Sequence, residues 1–272
     1  MDEPKLNSFA VIGNPVAHSM SPYIHQCFAK QLGVELSYEK IVTDQENFQQ
    51  CIEQFFAVGG RGLNITTPFK SLAAIGVNSC SPIAQACSSV NTIYKNELGK
   101  LQGESTDGIG WLADIKRLDI VLANKKILVV GAGGAARIII NRLLEEQIQR
   151  LHICNRTAQK ALALITNDII TASGLNDIPE VQWDLVINTL PVGWQDNYPK
   201  ITALVADETV AYDLNYGVGA ESFKAWFVAA GGDEKCFSDG WGMLVEQAAE
   251  SFNLWWKFKP TTAELINHGP LA

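Results

Sequence analysis

Residues 131–136 read Gly131-Ala132-Gly133-Gly134-Ala135-Ala136 and follow the apolar run Ile127-Leu128-Val129-Val130. A strand that runs through a G-x-G-x-x-A loop into a helix is the setting in which such a loop binds a dinucleotide. Gly131 permits the tight turn, and Gly133 lets the backbone approach a pyrophosphate. The free N–H groups of the helix start, around Gly134 and Ala135, then meet its charge. Roughly 20 residues downstream, where an NAD-preferring site places Asp or Glu on the ribose 2′-hydroxyl, the chain has Asn155-Arg156-Thr157 and no acid. Arg156 suits stacking on adenine and facing a 2′-phosphate, with Lys160 one helical turn further as a second cation, so the spacing favours NADP over NAD. The plainer readings are a turn that only joins strand to helix and a solvated Arg at a helix start.

A second set of residues lies in the first half. Ser19 and Ser21 flank Met20 in the polar loop His18-Ser19-Met20-Ser21-Pro22. Capping of the following helix accounts for one serine; two hydroxyls at the carboxyl end of a parallel strand also suit a small hydroxylated or carboxylated ligand. Asn64, Thr66 and Lys70 share another strand-end loop, and Asp107 follows Gly103-Glu104-Ser105-Thr106. A carbonyl under reduction needs a proton on oxygen as hydride reaches carbon, and a Lys positioned by a carboxylate is a suitable donor. An isolated Lys is otherwise a surface residue. His18 lacks the orienting partners of a nucleophilic triad and reads as a loop histidine.

These residues need elements to position them. Residues 9–12, 37–42 and 62–65 read as strands, separated by helices over 22–32 and 45–58, the second with Phe48, Ile52, Phe55 and Phe56 on one face. Strands alternating with single helices predict a parallel sheet. A second series begins at Lys125-Lys126, with strands over 127–130, 151–154, 184–188 and 210–214. A helix over 109–118 lies in the hinge region 103–122, and another covers 242–257, where Trp255-Trp256 reads as packing. The fold class is therefore α/β in two domains.

The 272 residues, 47% hydrophobic and 18% charged, suffice for two cores. A net charge of −8 disfavours nucleic acid, which needs clustered Lys and Arg. The uncharged stretch 71–94 contains Asn78, Ser79, Ser81, Pro82 and Gln85, so no membrane span is expected. The start, Met1-Asp2-Glu3-Pro4-Lys5, is unlike a secretory signal, which points to a cytoplasmic protein. Cysteines 27, 51, 80, 87, 154 and 236 form no C-x-x-C pair and the histidines no H-x-x-x-H pair, so each Cys is expected to be a small buried hydrophobe and no metal is expected.

Together the motifs resemble the NADP-dependent shikimate dehydrogenases, over nearly the whole chain. The stretches that carry the resemblance are Gly13-Asn14-Pro15-Val16-Ala17-His18-Ser19-Met20-Ser21-Pro22, Asn64-Ile65-Thr66-Thr67-Pro68-Phe69-Lys70, Val90-Asn91-Thr92, Thr106-Asp107-Gly108, the glycine loop, Asn155-Arg156-Thr157, and Gly240-Trp241-Gly242-Met243-Leu244-Val245-Glu246-Gln247-Ala248-Ala249. The resemblance implies that Ser19 and Ser21 hold a substrate carboxylate. Asn91, Asp107, Gln247 and Lys70 would bind ring hydroxyls, with Asn64, Thr66 and Tyr216 completing the pocket and Lys70 and Asp107 as the catalytic pair. It implies NADP held by Gly131, Ala132, Gly133, Gly134, Ala135, Asn155, Arg156, Thr157, Lys160, Leu214, Gly240 and Met243. It also implies a discontinuous α/β substrate domain, 1–106 with 241–272, around a Rossmann-type doubly wound NADP domain, 107–240, with a cleft between them. The partner is then the small molecule shikimate or 3-dehydroshikimate, and the assembly a monomer or homodimer.

The chain departs from the family pattern at Ser105, at Ser88-Ser89, at Lys160 in place of the usual Arg, at Thr189-Leu190-Pro191-Val192-Gly193-Trp194 near the nicotinamide, and over Tyr216-Gly217-Val218-Gly219-Ala220. Two other readings stay open: a quinate/shikimate dehydrogenase with relaxed cofactor use, and a non-catalytic NADP-binding regulator on the same fold.

Overall fold

Short apolar runs alternating with amphipathic helices build two separate sheets. The computed structural model describes residues 7–191, 198–201 and 203–270, so Val192, Gly193 and Trp194 lie outside the described residues. The chain divides into two compact units, Met1–Trp111 with Leu244–Ala272, and Leu112–Met243.

In the first unit, strands β1 (Ser8–Gly13), β2 (Ser37–Val42), β3 (Gly62–Ile65), β4 (Ser79–Cys80), β5 (Thr92–Lys95) and β6 (Leu101–Glu104) form one sheet in the order β2-β1-β3-β5-β6-β4. Helix α1 (Ser21–Leu32) connects β1 to β2, and α2 (Phe48–Ala57) connects β2 to β3. These crossovers make both β1 pairings parallel. Further along, the expectation of a parallel sheet fails, because β5 runs antiparallel to both β3 and β6. Between β5 and β6 there is only a tight turn, closed by Asn96 N–H donating to Lys100 O at 2.9 Å, with Gly99 at φ 71°, and no helix fits there. Helices α3 (Lys70–Gly76) and α4 (Pro82–Ala86) lie on either side of β4 in sequence. Alternation along β1 sends Ala10 and Ile12 into a core with Phe48, Leu63 and Phe69, and Phe9 and Val11 into another with Tyr38, Trp255 and Trp256. The tryptophan pair is thus packing: the Phe9 and Trp255 ring centres are 4.7 Å apart.

Helix α5 (Asp107–Arg117) starts two residues before its expected position and crosses the division between the units. In the second unit, β7 (Lys126–Val130), β8 (Arg150–Cys154), β9 (Ile170–Ser173), β10 (Leu185–Asn188), β11 (Val210–Asp213) and β12 (Phe237–Ser238) pair in the order β12-β11-β10-β7-β8-β9. Every pairing is parallel. Helices α6 (Gly134–Leu144), α7 (Ala158–Leu162) and α8 (Glu221–Ala229) follow β7, β8 and β11, and Leu128, Val130, Trp183, Val186, Phe223 and Phe227 are among the core residues. The order reverses between β7 and β10, the switch point at which such sheets bind dinucleotides. Helices α9 (Trp241–Trp256) and α10 (Ala263–His268) end the chain.

The unit limits lie at Trp111 and Met243, whereas the family resemblance implies limits at 106 and 240. The first turn of α5 belongs with the first sheet, so Asp107 shares a unit with Lys70. Two further expectations are corrected. Met20 precedes α1 without a side-chain cap, and the Ser19 hydroxyl instead accepts from Ser21 N–H at 3.3 Å. Only Cys87 and Cys154 are fully buried; the other cysteines are half-buried. Among the described residues, no helix is long and apolar enough to cross a membrane.

Candidate active site

In the first unit, the carboxyl ends of β1, β3 and β6 and the amino end of the antiparallel β5 all fall on one edge of the sheet. That edge gathers residues far apart in sequence. Lys70 begins α3, where its carbonyl accepts from Val90 N–H at 3.0 Å, so the helix start is tied to the segment leading into β5. Its Nζ donates to Asp107 Oδ2 at 2.6 Å. The lysine side chain is 29% exposed and the aspartate 9%, so the amine has an open side while the carboxylate is enclosed.

Asp107 is held from behind. Asn91 Nδ2 donates to Asp107 Oδ1 at 2.8 Å and also lies 2.9 Å from Thr106 Oγ1 and 3.1 Å from Gln247 Oε1. Asn91 Oδ1 accepts from Thr106 N–H at 2.8 Å. Gln247 reaches this cluster because α9 passes close to α5: a Cβ on Gly110 would lie 2.5 Å from Gln247 N. The structure therefore brings Lys70, Asn91, Asp107 and Gln247 together. Thr66 sits at the end of β3, with N–H donating to Ile12 O at 2.9 Å.

Asn64, expected to contact the ligand, spends its amide inside the protein. Its Oδ1 accepts from Tyr38 Oη at 2.7 Å and from His25 Nε2 at 3.2 Å, which requires the Nε2–H tautomer. Its Nδ2 lies 3.1 Å from Asn91 O and 3.1 Å from Ser251 Oγ. Ser21 hydrogen-bonds to Tyr38, so the serine loop joins the same network. Burial pushes the His25 pKa down to about 3, against a smaller upward pull from Asn64, and pushes Tyr38 well above its ordinary value. His25 is therefore neutral at physiological pH, and His18 is exposed. Sequence reasoning missed Thr106, Ser251, His25 and Tyr38. Ser251 stands four residues after Gln247 on α9 and His25 four after Ser21 on α1, a spacing that shares a helix face and was the available signal.

The second unit builds its candidate site mostly from backbone. Gly131 has φ 114°, and a Cβ there would lie 2.3 Å from Thr189 Oγ1, so only glycine fits. Gly133 precedes α6, and a Cβ on Gly133 or Gly134 would meet nothing within 4 Å, which leaves open space above the loop. Ala136 is fully buried between helix and sheet. After β8, Asn155 Nδ2 donates to Thr157 O at 2.9 Å. Arg156 and Thr157 line a cavity of about 570 Å³ that also includes Asn176 and Lys200. The lining does not include Lys160, which is exposed on α7; the second cation at this cavity is Lys200, which approaches from beyond β10 and carries no local motif. Leu214 and Gly240 are neighbours, because a Cβ on Gly240 would lie 2.3 Å from Leu214 O. Met243 follows on α9, and Tyr216 belongs to this unit, its ring 6.0 Å from that of Trp241. Among the described residues, no three His, Cys, Asp or Glu side chains converge on a metal position.

A family model described as the shikimate dehydrogenase substrate binding domain matches residues 11–93, and one described as shikimate / quinate 5-dehydrogenase matches residues 114–189. The shikimate dehydrogenase (NADP(+)) of Pseudoalteromonas atlantica is 41% identical over 266 residues, covering 96% of this chain and 97% of that one. The enzyme of the same name from Halorhodospira halophila is 42% identical over 261 residues, covering 95% and 96%. Among solved structures, an Ael1 enzyme from Pseudomonas putida aligns with a TM-score of 0.87 at 33% identity over 98% of this chain and 99% of its own. The shikimate 5-dehydrogenase of Thermus thermophilus, in complex with NADP(H) and shikimate, aligns with a TM-score of 0.81 at 33% identity over 96% and 98%.

Proposed function

The chain belongs to the shikimate dehydrogenase family, and we propose that it carries out the reversible NADPH-dependent reduction of 3-dehydroshikimate to shikimate, a step of aromatic amino acid biosynthesis. The observation that carries this reading is the 2.6 Å contact between Lys70 Nζ and the enclosed Asp107 carboxylate.

The residues of the second unit fit the cofactor: a glycine at φ 114°, open space above Gly133 and Gly134, and Arg156 lining a cavity. Bound there, NADPH supplies the hydride. Ala132, Gly133, Gly134 and Ala135 offer backbone N–H groups to the pyrophosphate, while Gly131, whose N–H donates to Cys154 O at 2.8 Å, supplies the turn. Arg156, with Asn155 and Thr157 beside it and Lys200 on the same cavity, takes the 2′-phosphate and selects NADP over NAD. Leu214, Gly240 and Met243 line the remainder of the cofactor site.

In the first unit, Lys70 gives a proton to the C3 oxygen as the carbonyl is reduced and accepts it back in the reverse direction. Asp107 keeps the ammonium pointed at that oxygen, and Asn91 keeps Asp107 in place by binding its other oxygen. Ser19 and Ser21 hold the substrate carboxylate, while Asn91 and Gln247 bind ring hydroxyls together with Lys70 and Asp107. Thr66 completes the pocket within this unit; Tyr216, which the resemblance assigns to the same pocket, belongs to the second unit. Asn64 works from beneath, by fixing the Asn91 backbone. The protein works in the cytosol, as monomer or homodimer, where the free thiols stay reduced.

The test is absorbance at the nicotinamide band with purified protein, offering shikimate or quinate against NADP⁺ or NAD⁺. Rapid reduction confined to shikimate with NADP⁺ is expected. Comparable turnover of quinate or NAD⁺ would make it a quinate/shikimate dehydrogenase, and NADP⁺ binding without turnover in any combination would make it a regulator.

A further inference from the structure

Beyond the residues assigned above, the second unit contains a buried acid that the mechanism does not use. Asp213 ends β11 with no exposed surface. Its Oδ1 accepts from Asn188 Nδ2, from Asn215 N–H and from Asn215 Nδ2, each at 2.9 Å. Among the described residues its Oδ2 has no partner. Burial pushes its pKa up to about 7, against the opposing pull of these hydrogen bonds and with a smaller upward contribution from Asp239. A group held at such a cost needs a purpose beyond filling space.

The two asparagines that Asp213 orients converge on one residue. Asn188 Oδ1 accepts from Leu190 N–H at 3.2 Å and from Tyr198 Oη at 3.0 Å, and Asn215 Nδ2 donates to Leu190 O at 2.8 Å. Both backbone polar groups of Leu190 are thereby fixed. Leu190 in turn lies against the glycine loop: its Cδ2 is 3.4 Å from where a Gly131 Cβ would stand, beside Thr189 Oγ1, which donates to Val130 O at 2.8 Å. The place is the β7/β10 switch point. A dinucleotide crosses there, with its adenosine half on the β8 side near Arg156 and its other half over the ends of β10 and β11.

We propose that Asp213 is a positioning residue for the nicotinamide half of the cofactor, acting through Asn188 and Asn215 to hold Leu190 against the first glycine of the loop. The proposal rests on the reading of that loop as the NADP site. An amide keeps its orientation only where fixed partners tell its oxygen from its nitrogen, and each asparagine has two such anchors, Leu190 on one side and a carboxylate on the other. Asp213 is the carboxylate that both amides share.

The experiment compares wild type, Asp213→Ala, Asp213→Asn and Asn215→Ala by fluorescence titration with NADPH and, separately, with 2′,5′-ADP, which has the adenosine half alone. Asp213→Ala is expected to weaken NADPH about tenfold, the scale of one lost charge-assisted hydrogen bond, and to leave 2′,5′-ADP unchanged. Asp213→Asn keeps an oxygen where Oδ1 stands and should bind NADPH nearly as wild type does. Asn215→Ala, which loses the Nδ2 contacts to the Leu190 carbonyl and to Asp213 Oδ1 but leaves Asn188 in place, provides the same test in milder form should Asp213→Ala fail to fold, and is expected to weaken NADPH about threefold. Equal weakening of NADPH and 2′,5′-ADP, or Asp213→Asn as weak as Asp213→Ala, would overturn the proposal, as would unchanged NADPH affinity in Asp213→Ala and Asn215→Ala. Failure of the underlying NADP reading is distinguishable, because wild type would then bind neither ligand.

Discussion

The two units make their sites in opposite ways. In the first, side chains do the work and come from separate parts of the chain: Asn64 reaches Ser251, and Asn91 reaches Gln247. In the second, the proposed cofactor cradle is backbone from one short stretch, with Gly131 seated against Thr189. A side-chain site needs a buried polar network to hold each rotamer, and every missing partner costs the desolvation of the group left behind. A backbone site needs only the right φ angles and an absence of Cβ atoms. The first kind should therefore fail through chemistry and network stability, and the second through local conformation.

The largest expected effect is at the proposed catalytic pair, Lys70 and Asp107. Lys70→Ala should lower turnover by about 10²–10⁴, the usual worth of general acid–base catalysis, while NADPH affinity measured by fluorescence stays near wild type. Turnover close to wild type would remove Lys70 from the proton transfer and break the contrast at its strongest point.

Next comes pH. His25, with its pKa lowered from 6.5 to about 3, binds less proton folded than unfolded, so its contribution to stability is present above pH 6.5 and lost as pH falls toward 3. Asp213, raised from 3.8 to about 7, binds more proton folded, so its contribution is present below pH 3.8 and lost as pH rises through 7. Each amounts to a few kcal/mol, because a tenfold change in proton affinity between the folded and unfolded chain is worth about 1.4 kcal/mol. The two windows overlap with opposite sign, so denaturant unfolding between pH 3 and pH 8 should show His25→Gln making the change of stability with rising pH more negative, and Asp213→Asn making it more positive. Slopes that move together would show that the two networks do not titrate separately.

The glycines sharpen the contrast further. Gly131→Ala forces a Cβ into Thr189 at a positive φ and should cost about 1–3 kcal/mol in thermal or chemical unfolding. Gly133→Ala meets open space and should change stability by less than about 0.5 kcal/mol. It should still weaken NADPH, because the added methyl stands where the pyrophosphate approaches.

The smallest effect is cofactor selectivity. Arg156→Gln should raise the KM for NADP⁺ about tenfold and leave NAD⁺ untouched, and Lys200→Gln should do the same more weakly. A Lys160→Gln variant with the larger effect would restore the sequence-based choice of second cation.

Legibility followed the same division. The Gly131–Ala136 loop and Arg156 could be read directly, because contiguous residues supply both the conformation and the chemistry. Lys200 could not, since the chain brings it to the cavity from beyond β10. Nor could the antiparallel β5, although Asn96 and Gly99 mark the turn that causes it. The residue types alone left Lys70 open between a proton donor set by Asp107 and an ordinary surface lysine, and the family resemblance supplied the choice.

By itself the sequence determined two α/β units, a dinucleotide loop after an apolar strand, and the residue types of a carbonyl-reducing site, since local propensity and hydrophobic period are properties of neighbouring residues. Only the tertiary structure decided that Asp107 belongs to the first unit, that Asn64 is spent inside the protein, and that Asp213 holds Leu190 over the glycine loop. Those outcomes depend on which distant groups share a buried volume. A hydrogen bond gains most where water is excluded, and burial is settled by the packing of the whole chain.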